Sequence, residues 1–212
     1  MKIIKEHYGE TYLSKTRWIS FIEQVASLEG IEINKVAEIG VGPNVMNFIV
    51  KKTYPDCKYV TIDINPDLKP DFVASVLKLP FQENEMDVTF CCQVLEHIPY
   101  EMFVPALKEI VRITKKRVVI SIPDVTPFFY LRFKGSRRLF KRLWKGISLP
   151  NLFTAVFNKK TIDQHFWEIG YKGYSLKRIE SDIKSIAGII IKEHFRLVDR
   201  PYWHYFYIEK SK

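Results

Sequence analysis

The stretch that most constrains this chain is Val36-Ala37-Glu38-Ile39-Gly40-Val41-Gly42-Pro43-Asn44. A short apolar run carries one acid and ends in a glycine-punctuated turn. Val45 to Tyr54 follows, with Val45, Met46, Phe48, Ile49 and Val50 apolar, and predicts a helix. Strand, glycine turn and helix in that order form the ligand-cradling unit of doubly wound α/β folds. Glycine suits the turn because the backbone bends sharply and a ligand approaches where a Cβ would intrude. Asn44 stands where a third glycine is common, and Asn tolerates the left-handed conformation best among the other residues.

Electrostatics separates the cofactors such a turn could hold. A dinucleotide sets its pyrophosphate at the helix N-terminus, where the carboxylate of Glu38 is unwelcome. S-adenosylmethionine carries a sulfonium and an ammonium, which Glu38 attracts. Val45 also occupies the place of the last glycine of the dinucleotide pattern.

Tyr59-Val60-Thr61-Ile62-Asp63 is a β-branched strand ending in an acid placed to accept hydrogen bonds from ribose hydroxyls. Leu79-Pro80-Phe81 follows, then Met86-Asp87-Val88 and Leu95-Glu96-His97. In this order and spacing the chain resembles the class I S-adenosylmethionine-dependent methyltransferases, in particular the small-molecule group. The resemblance covers about Val36 to Pro123 and resumes after Thr161. It implies an α/β, Rossmann-like seven-stranded sheet in the order 3-2-1-4-5-7-6 with the last strand antiparallel. It also implies a cofactor site built from Glu38, Gly40, Val41, Gly42 and Asn44 at the turn, and from Asp63 and Ile64 at the ribose. Ser75, Val76 and Leu77 would meet the adenine, and Cys92 and Gln93 would end the fourth strand. The family's usual aspartate before Leu-Pro-Phe is Ser75 here, an acceptor without charge. Some quinone-type members hold a divalent metal near Glu-x-x-Glu-His; here the first carboxylate is Gln93, and no metal is expected.

Length and composition fit one domain over residues 1–212, since 47% hydrophobic content can bury one substantial core. No run approaches the about 20 apolar residues of a membrane span. The charged start, Met1 to His7, does not read as a signal peptide. Cys57, Cys91 and Cys92 suit reduced thiols, and a cytoplasmic protein is expected.

Tyr12 to Leu28 has Trp18, Phe21, Ile22, Val25 and Leu28 at helical spacing, a helix covering the sheet or bordering the cofactor mouth. Strands are expected at Lys35–Ile39, Asp71–Val76, Asp87–Cys92 and Arg117–Ile122, with an amphipathic helix over Glu101–Thr114. A second helix over Leu176–Ala187, capped by Ser175, precedes a hairpin of Ile189–Leu197 and Trp203–Glu209. Glu96 and His97 either cap a turn or place His97 at the substrate rim as a proton acceptor. His165, Trp167 and Glu168 are either a structural cluster or part of the acceptor site; His97 and His165 are thus the two candidate bases.

Residues 125 to 162 hold nine cations (Arg132, Lys134, Arg137, Arg138, Lys141, Arg142, Lys145, Lys159 and Lys160) and no acid. The net charge of +9 therefore resides there, and the remainder sums to zero. Leu139, Phe140, Leu143, Trp144 and Ile147 share one face of a helical projection. This basic helical insert, a lid within 125–170, overhangs the acceptor pocket in the resembling fold. It suggests an anionic, glycan or lipid-linked acceptor methylated on oxygen, or peripheral contact of 131–147 with an anionic membrane. A nucleic-acid methyltransferase ranks lower, lacking a base-flipping motif, as does a catalytically silent adaptor, which need not keep Asp63.

Overall fold

A computed structural model describes residues 14–129, 147–148 and 164–211. Its strands are β1 (Lys35–Ile39), β2 (Lys58–Asp63), β3 (Phe72–Val73), β4 (Met86–Cys92), β5 (Thr114–Pro123), β6 (Phe128–Phe129), β7 (Ile147–Ser148), β8 (Ile189–Leu197) and β9 (Arg200–Lys210). The helices are α1 (Lys15–Ala26), α2 (Val45–Thr53), α3 (Phe103–Ile113) and α4 (Leu176–Lys184). Seven strands form one sheet in the order β3-β2-β1-β4-β5-β9-β8, and β6 pairs with β7 in a separate two-stranded ribbon. Numbered without the ribbon, the order is 3-2-1-4-5-7-6. β9 runs antiparallel to both neighbours.

Alternation along the strands divides the core between two faces. Val119, Trp203, Tyr205 and Tyr207 pack with Phe21 of α1 and with Met46 and Val50 of α2. Val118, Ile120, Phe206 and Ile208 pack with Leu107 and Ile110 of α3 and with Ile179 and Ile183 of α4. β1 and β4 are buried almost throughout, as strands covered on both sides must be.

Two of the sequence motifs serve this framework. Asp87 accepts the backbone N–H groups of Asn34 (2.8 Å) and Lys35 (3.1 Å), fixing the start of β1 against β4. Leu-Pro-Phe is pinned by α3: Glu109 accepts the Leu79 N–H at 2.8 Å, and Arg112 donates to the Phe81 carbonyl at 2.8 Å.

Some boundaries differ from expectation. β3 keeps only Phe72 and Val73, because it pairs with β2 on one side over two residues and lies at the sheet edge. The helix expected from Glu101 opens with a 3₁₀ turn over Tyr100–Met102. α4 ends at Lys184, three residues early, with Ser175 capping it as expected. Ile147 belongs to the ribbon strand β7, so it does not continue a helical face. Within the insert, residues 130–146 and 149–163, which include Leu139, Phe140, Leu143 and Trp144, lie outside the described residues. Among those described, all three cysteines are free thiols, and no helix is long and apolar enough to cross a membrane.

Candidate active site

The strand–turn–helix unit builds the site's floor. Gly40 has φ +83°, and a Cβ there would stand 2.3 Å from Cγ2 of Val94. Gly42 (φ 50°) and Asn44 (φ 60°) are also left-handed, so the chain turns steeply from β1 into α2. The Val41 N–H donates to Asp63 at 3.1 Å, and the Asn65 N–H donates to the other carboxylate oxygen at 2.8 Å. Asp63 is thereby fixed at the end of β2, across from the glycines.

Above this floor lies a cavity of about 240 Å³ at the C-terminal ends of β1, β2 and β4. Ten of the twelve residues expected to hold the cofactor line it: Glu38, Gly40, Val41, Gly42, Asp63, Ile64, Ser75, Val76, Cys92 and Gln93. Asn44 does not; it serves the turn, its N–H donating to the Val41 carbonyl. Leu77 does not either, and its N–H is taken by the Ser75 hydroxyl at 3.3 Å.

Glu38 is buried at the cavity wall, with the Tyr59 hydroxyl donating to it at 3.0 Å. Burial pushes its carboxyl up to about 8; the Tyr59 bond opposes this and the charge of Asp63 adds to it. The Cys92 thiol is pushed up to about 12, chiefly by burial, and stays protonated. Gln93 holds φ 58°, a strained conformation for a non-glycine residue, with its side chain donating to Ser121 at 3.2 Å.

One wall is only half expected: α1 reads as a helix bordering the cofactor mouth, whereas β9 is not placed there. Arg17, Ser20, Phe21 and Gln24 of α1 and Trp203 of β9 also line the cavity. Ser20 and the Tyr205 hydroxyl lie 2.6 Å apart, which ties α1 to β9, and the Arg17 guanidinium lies 5.1 Å from the Trp203 ring. The helical spacing over Tyr12–Leu28 was a signal for α1, but β9 is too distant in sequence to be assigned to the pocket.

At the cavity's other end His97 meets His165, their rings edge-on at 4.7 Å between centroids. The two candidate bases are therefore neighbours, although 68 residues separate them (165 − 97). The segment bearing His165 is stapled from both sides. The Phe166 N–H donates to the Glu96 carbonyl at 2.8 Å, and Ile169 exchanges backbone bonds with Pro123 and Val125. Trp167 is fully buried, donates to the Ile98 carbonyl at 3.1 Å, and packs edge-on against Tyr100 and Phe103. Trp167 thus belongs to the core, not to an acceptor contact. Glu168 accepts from His165 Nδ1 at 2.6 Å and from the Tyr202 hydroxyl at 2.9 Å. Glu96 is fully buried, and burial pushes its carboxyl up to about 8.

The sheet order, the glycine turn and the acid ending β2 together define a class I methyltransferase fold with its ligand cavity at the strand ends. Residues 37–122 match the family model described as a methyltransferase domain. The chain thus has the class I methyltransferase fold, and the match to the methyltransferase-domain model spans β1 to β5. Solved structures agree across nearly the whole chain. A methyltransferase from Aquifex aeolicus superposes with a TM-score of 0.63 at 15% identity, covering 99% of this chain and 100% of that one. The Burkholderia thailandensis 1,6-didemethyltoxoflavin-N1-methyltransferase, with S-adenosylhomocysteine bound, gives 0.62 at 13% identity, covering 98% and 85%. The Synechocystis magnesium protoporphyrin IX methyltransferase gives 0.60 at 13%, covering 98% and 92%. No curated protein matches it in sequence.

The residues present fit S-adenosylmethionine. Two carboxylates, Glu38 and Asp63, face one small cavity. A cationic ligand relieves the cost of ionising Glu38 there, whereas a pyrophosphate would add to it.

Proposed function

We propose that the chain methylates an oxygen of a small acceptor that is anionic, glycan-like or lipid-linked and enters past His97. The carrying observation is the single cavity running from the carboxylates of Glu38 and Asp63 to the imidazole of His97. When bound, S-adenosylmethionine supplies a methyl group on a sulfonium, already activated toward attack. Glu38 would hold the ammonium, Asp63 the ribose hydroxyls, and Ser75 with Val76 the adenine. Gly40 and Gly42 let the backbone approach. The acceptor oxygen forms the new O–C bond, the C–S bond leaves its electron pair on sulfur, and the acceptor's proton is taken up beside His97 and His165. Most of the acceleration comes from alignment and exclusion of water.

The acceptors named for two similar structures, 1,6-didemethyltoxoflavin and magnesium protoporphyrin IX, are small molecules. The nine cations of 125–162 favour an anionic one, or a membrane surface that carries it. The test has two parts. Calorimetry should give binding of S-adenosylmethionine and S-adenosylhomocysteine and none of NAD. With methyl-labelled cofactor and a cell extract, label should enter an acidic or lipid-phase small molecule; label found only in RNA or protein rejects the acceptor class.

A further inference from the structure

We infer that the outward face of α1 and α2 is a docking surface for an anionic lipid bilayer, set so that the mouth of the cavity lies beside the membrane. α1 and α2 pack against each other on one face of the sheet, where Phe21, Met46 and Val50 are buried. Both helices also carry large apolar side chains on the side turned away from that core. Trp18 and Ile22 stand one turn apart on α1 and are 43% and 64% exposed, and Phe48 of α2 is 66% exposed. Trp18 and Phe48 are each the fourth residue of their helix. Both helices start at the cavity, α1 with Arg17 in its lining and α2 just after Gly42 and Pro43, which also line it. The exposed apolar side chains thus lie at one level, close to the rim. A single exposed apolar residue is ordinary, whereas three on two adjoining helices mark an interaction surface.

The charge around the patch selects the partner. Lys15 of α1 and Lys51 and Lys52 of α2 are exposed, and none of the ion pairs among the described residues involves them. Lys52 Nζ lies 5.9 Å from the centroid of the Phe48 ring, so cation and ring occupy the same spot. α2 contains no acid, and the one acid of α1, Glu23, is engaged by the Tyr207 hydroxyl, which donates to it at 2.6 Å. The next acids in the chain, Glu29 and Asp56, come after the C-terminal ends of the two helices, away from the cavity.

A tryptophan, a phenylalanine and an isoleucine bordered by uncompensated lysines match the boundary layer of an anionic bilayer. The apolar side chains enter at the level of the acyl boundary, and the ammonium groups stay with the phosphates. An apolar protein surface would have no use for the cations, and a nucleic acid would leave Ile22 and Phe48 unburied. The patch is separate from the basic insert and stands on other residues. Docking itself is independent of the methyl-transfer reading; its use, bringing a lipid-linked acceptor to the cavity, rests on that reading.

The full chain is sedimented with vesicles of phosphatidylcholine alone and of phosphatidylcholine mixed with phosphatidylglycerol. Association with the mixed vesicles and little with the neutral ones is expected. Ile22→Ser combined with Phe48→Ser should weaken it by at least about tenfold, since two large apolar side chains are lost from the contact. Lys51→Gln combined with Lys52→Gln should weaken it about 25-fold, about fivefold for each cation. None of these four residues lines the cavity, so S-adenosylhomocysteine binding and circular dichroism should match the parent. The proposal is overturned if the parent does not sediment with the mixed vesicles, or if the Ile22→Ser, Phe48→Ser variant sediments as the parent does. A parent that is dimeric in the ultracentrifuge and made monomeric by that variant assigns the patch to a second copy instead. S-adenosylhomocysteine binding retained in any of these cases leaves the methyl-transfer reading standing.

Discussion

Asp63 receives backbone N–H groups on both carboxylate oxygens and still faces the cavity, so its position is set before any ligand arrives. Asp63→Ala should weaken S-adenosylhomocysteine binding by ~1.5–3 kcal/mol, the worth of hydrogen bonds to a charged group. Unchanged affinity by calorimetry would remove Asp63 from the ribose. Glu38 makes a different demand. Its folded pKa, about 8, lies above its ordinary 4.5, so the folded state binds the proton more tightly. The stability this lends the cofactor-free protein is complete below about pH 4.5 and is lost as pH rises through about 8. Tm without cofactor should therefore fall more steeply over that range in the parent than in Glu38→Gln. Parallel curves would mean that Glu38 does not titrate there.

At the scale of elements, the β1–turn–α2 unit was legible because every signal in it is local. Gly40, Gly42 and Asn44 announce the left-handed turn, and β1 has the bounds expected of it, Lys35–Ile39. Gly40→Ala tests the unit. The new Cβ would meet Val94 Cγ2 at 2.3 Å in a conformation that disfavours side chains, so destabilisation of at least about 1–3 kcal/mol is expected in chemical denaturation. Val94→Ala should recover only the steric part. The segment from His165 to Ile169 was not legible in this way. His97 meets it through contacts some 67 residues distant, and the aromatic packing that seats Trp167 has no periodicity to betray it. Trp167→Ala should cost about 3–5 kcal/mol, as large core truncations do. Chemical denaturation reads that loss, with S-adenosylhomocysteine binding retained; unchanged stability would show that the backbone bonds alone seat the segment.

At the scale of the molecule, strand order came from the resemblance that the motifs carry by their sequence and spacing, and the sheet has that order. The β9 side of the cavity wall escaped, since Tyr205 meets Ser20 of α1 only through tertiary packing. Charge is the other whole-molecule property. Neutralising Arg137, Arg138, Lys141 and Arg142 together should spare cofactor binding and weaken association with anionic vesicles, each cation near such a surface being worth ~1 kcal/mol. Added salt should mimic the loss, because exposed charges are screened beyond ~8 Å. Equal vesicle binding by the quadruple variant and the parent would make the insert a solvated face.

The insertion of β9 between β5 and β8 has a consequence for synthesis. A nascent chain that has emerged as far as Val198 already carries every motif of the cofactor site, from Gly40 to His97. It lacks Trp203, which closes one wall of the cavity, and Tyr205, which anchors α1. The hydrogen-bonding edge of β5 is still uncovered at that stage, and β8 has no neighbour to join it to the sheet. The strand translated late in the chain thus enters the interior of the sheet rather than its margin. A chain truncated after Val198 should therefore bind S-adenosylhomocysteine more weakly than the full chain in calorimetry and leave the edge of β5 unpaired and prone to self-association.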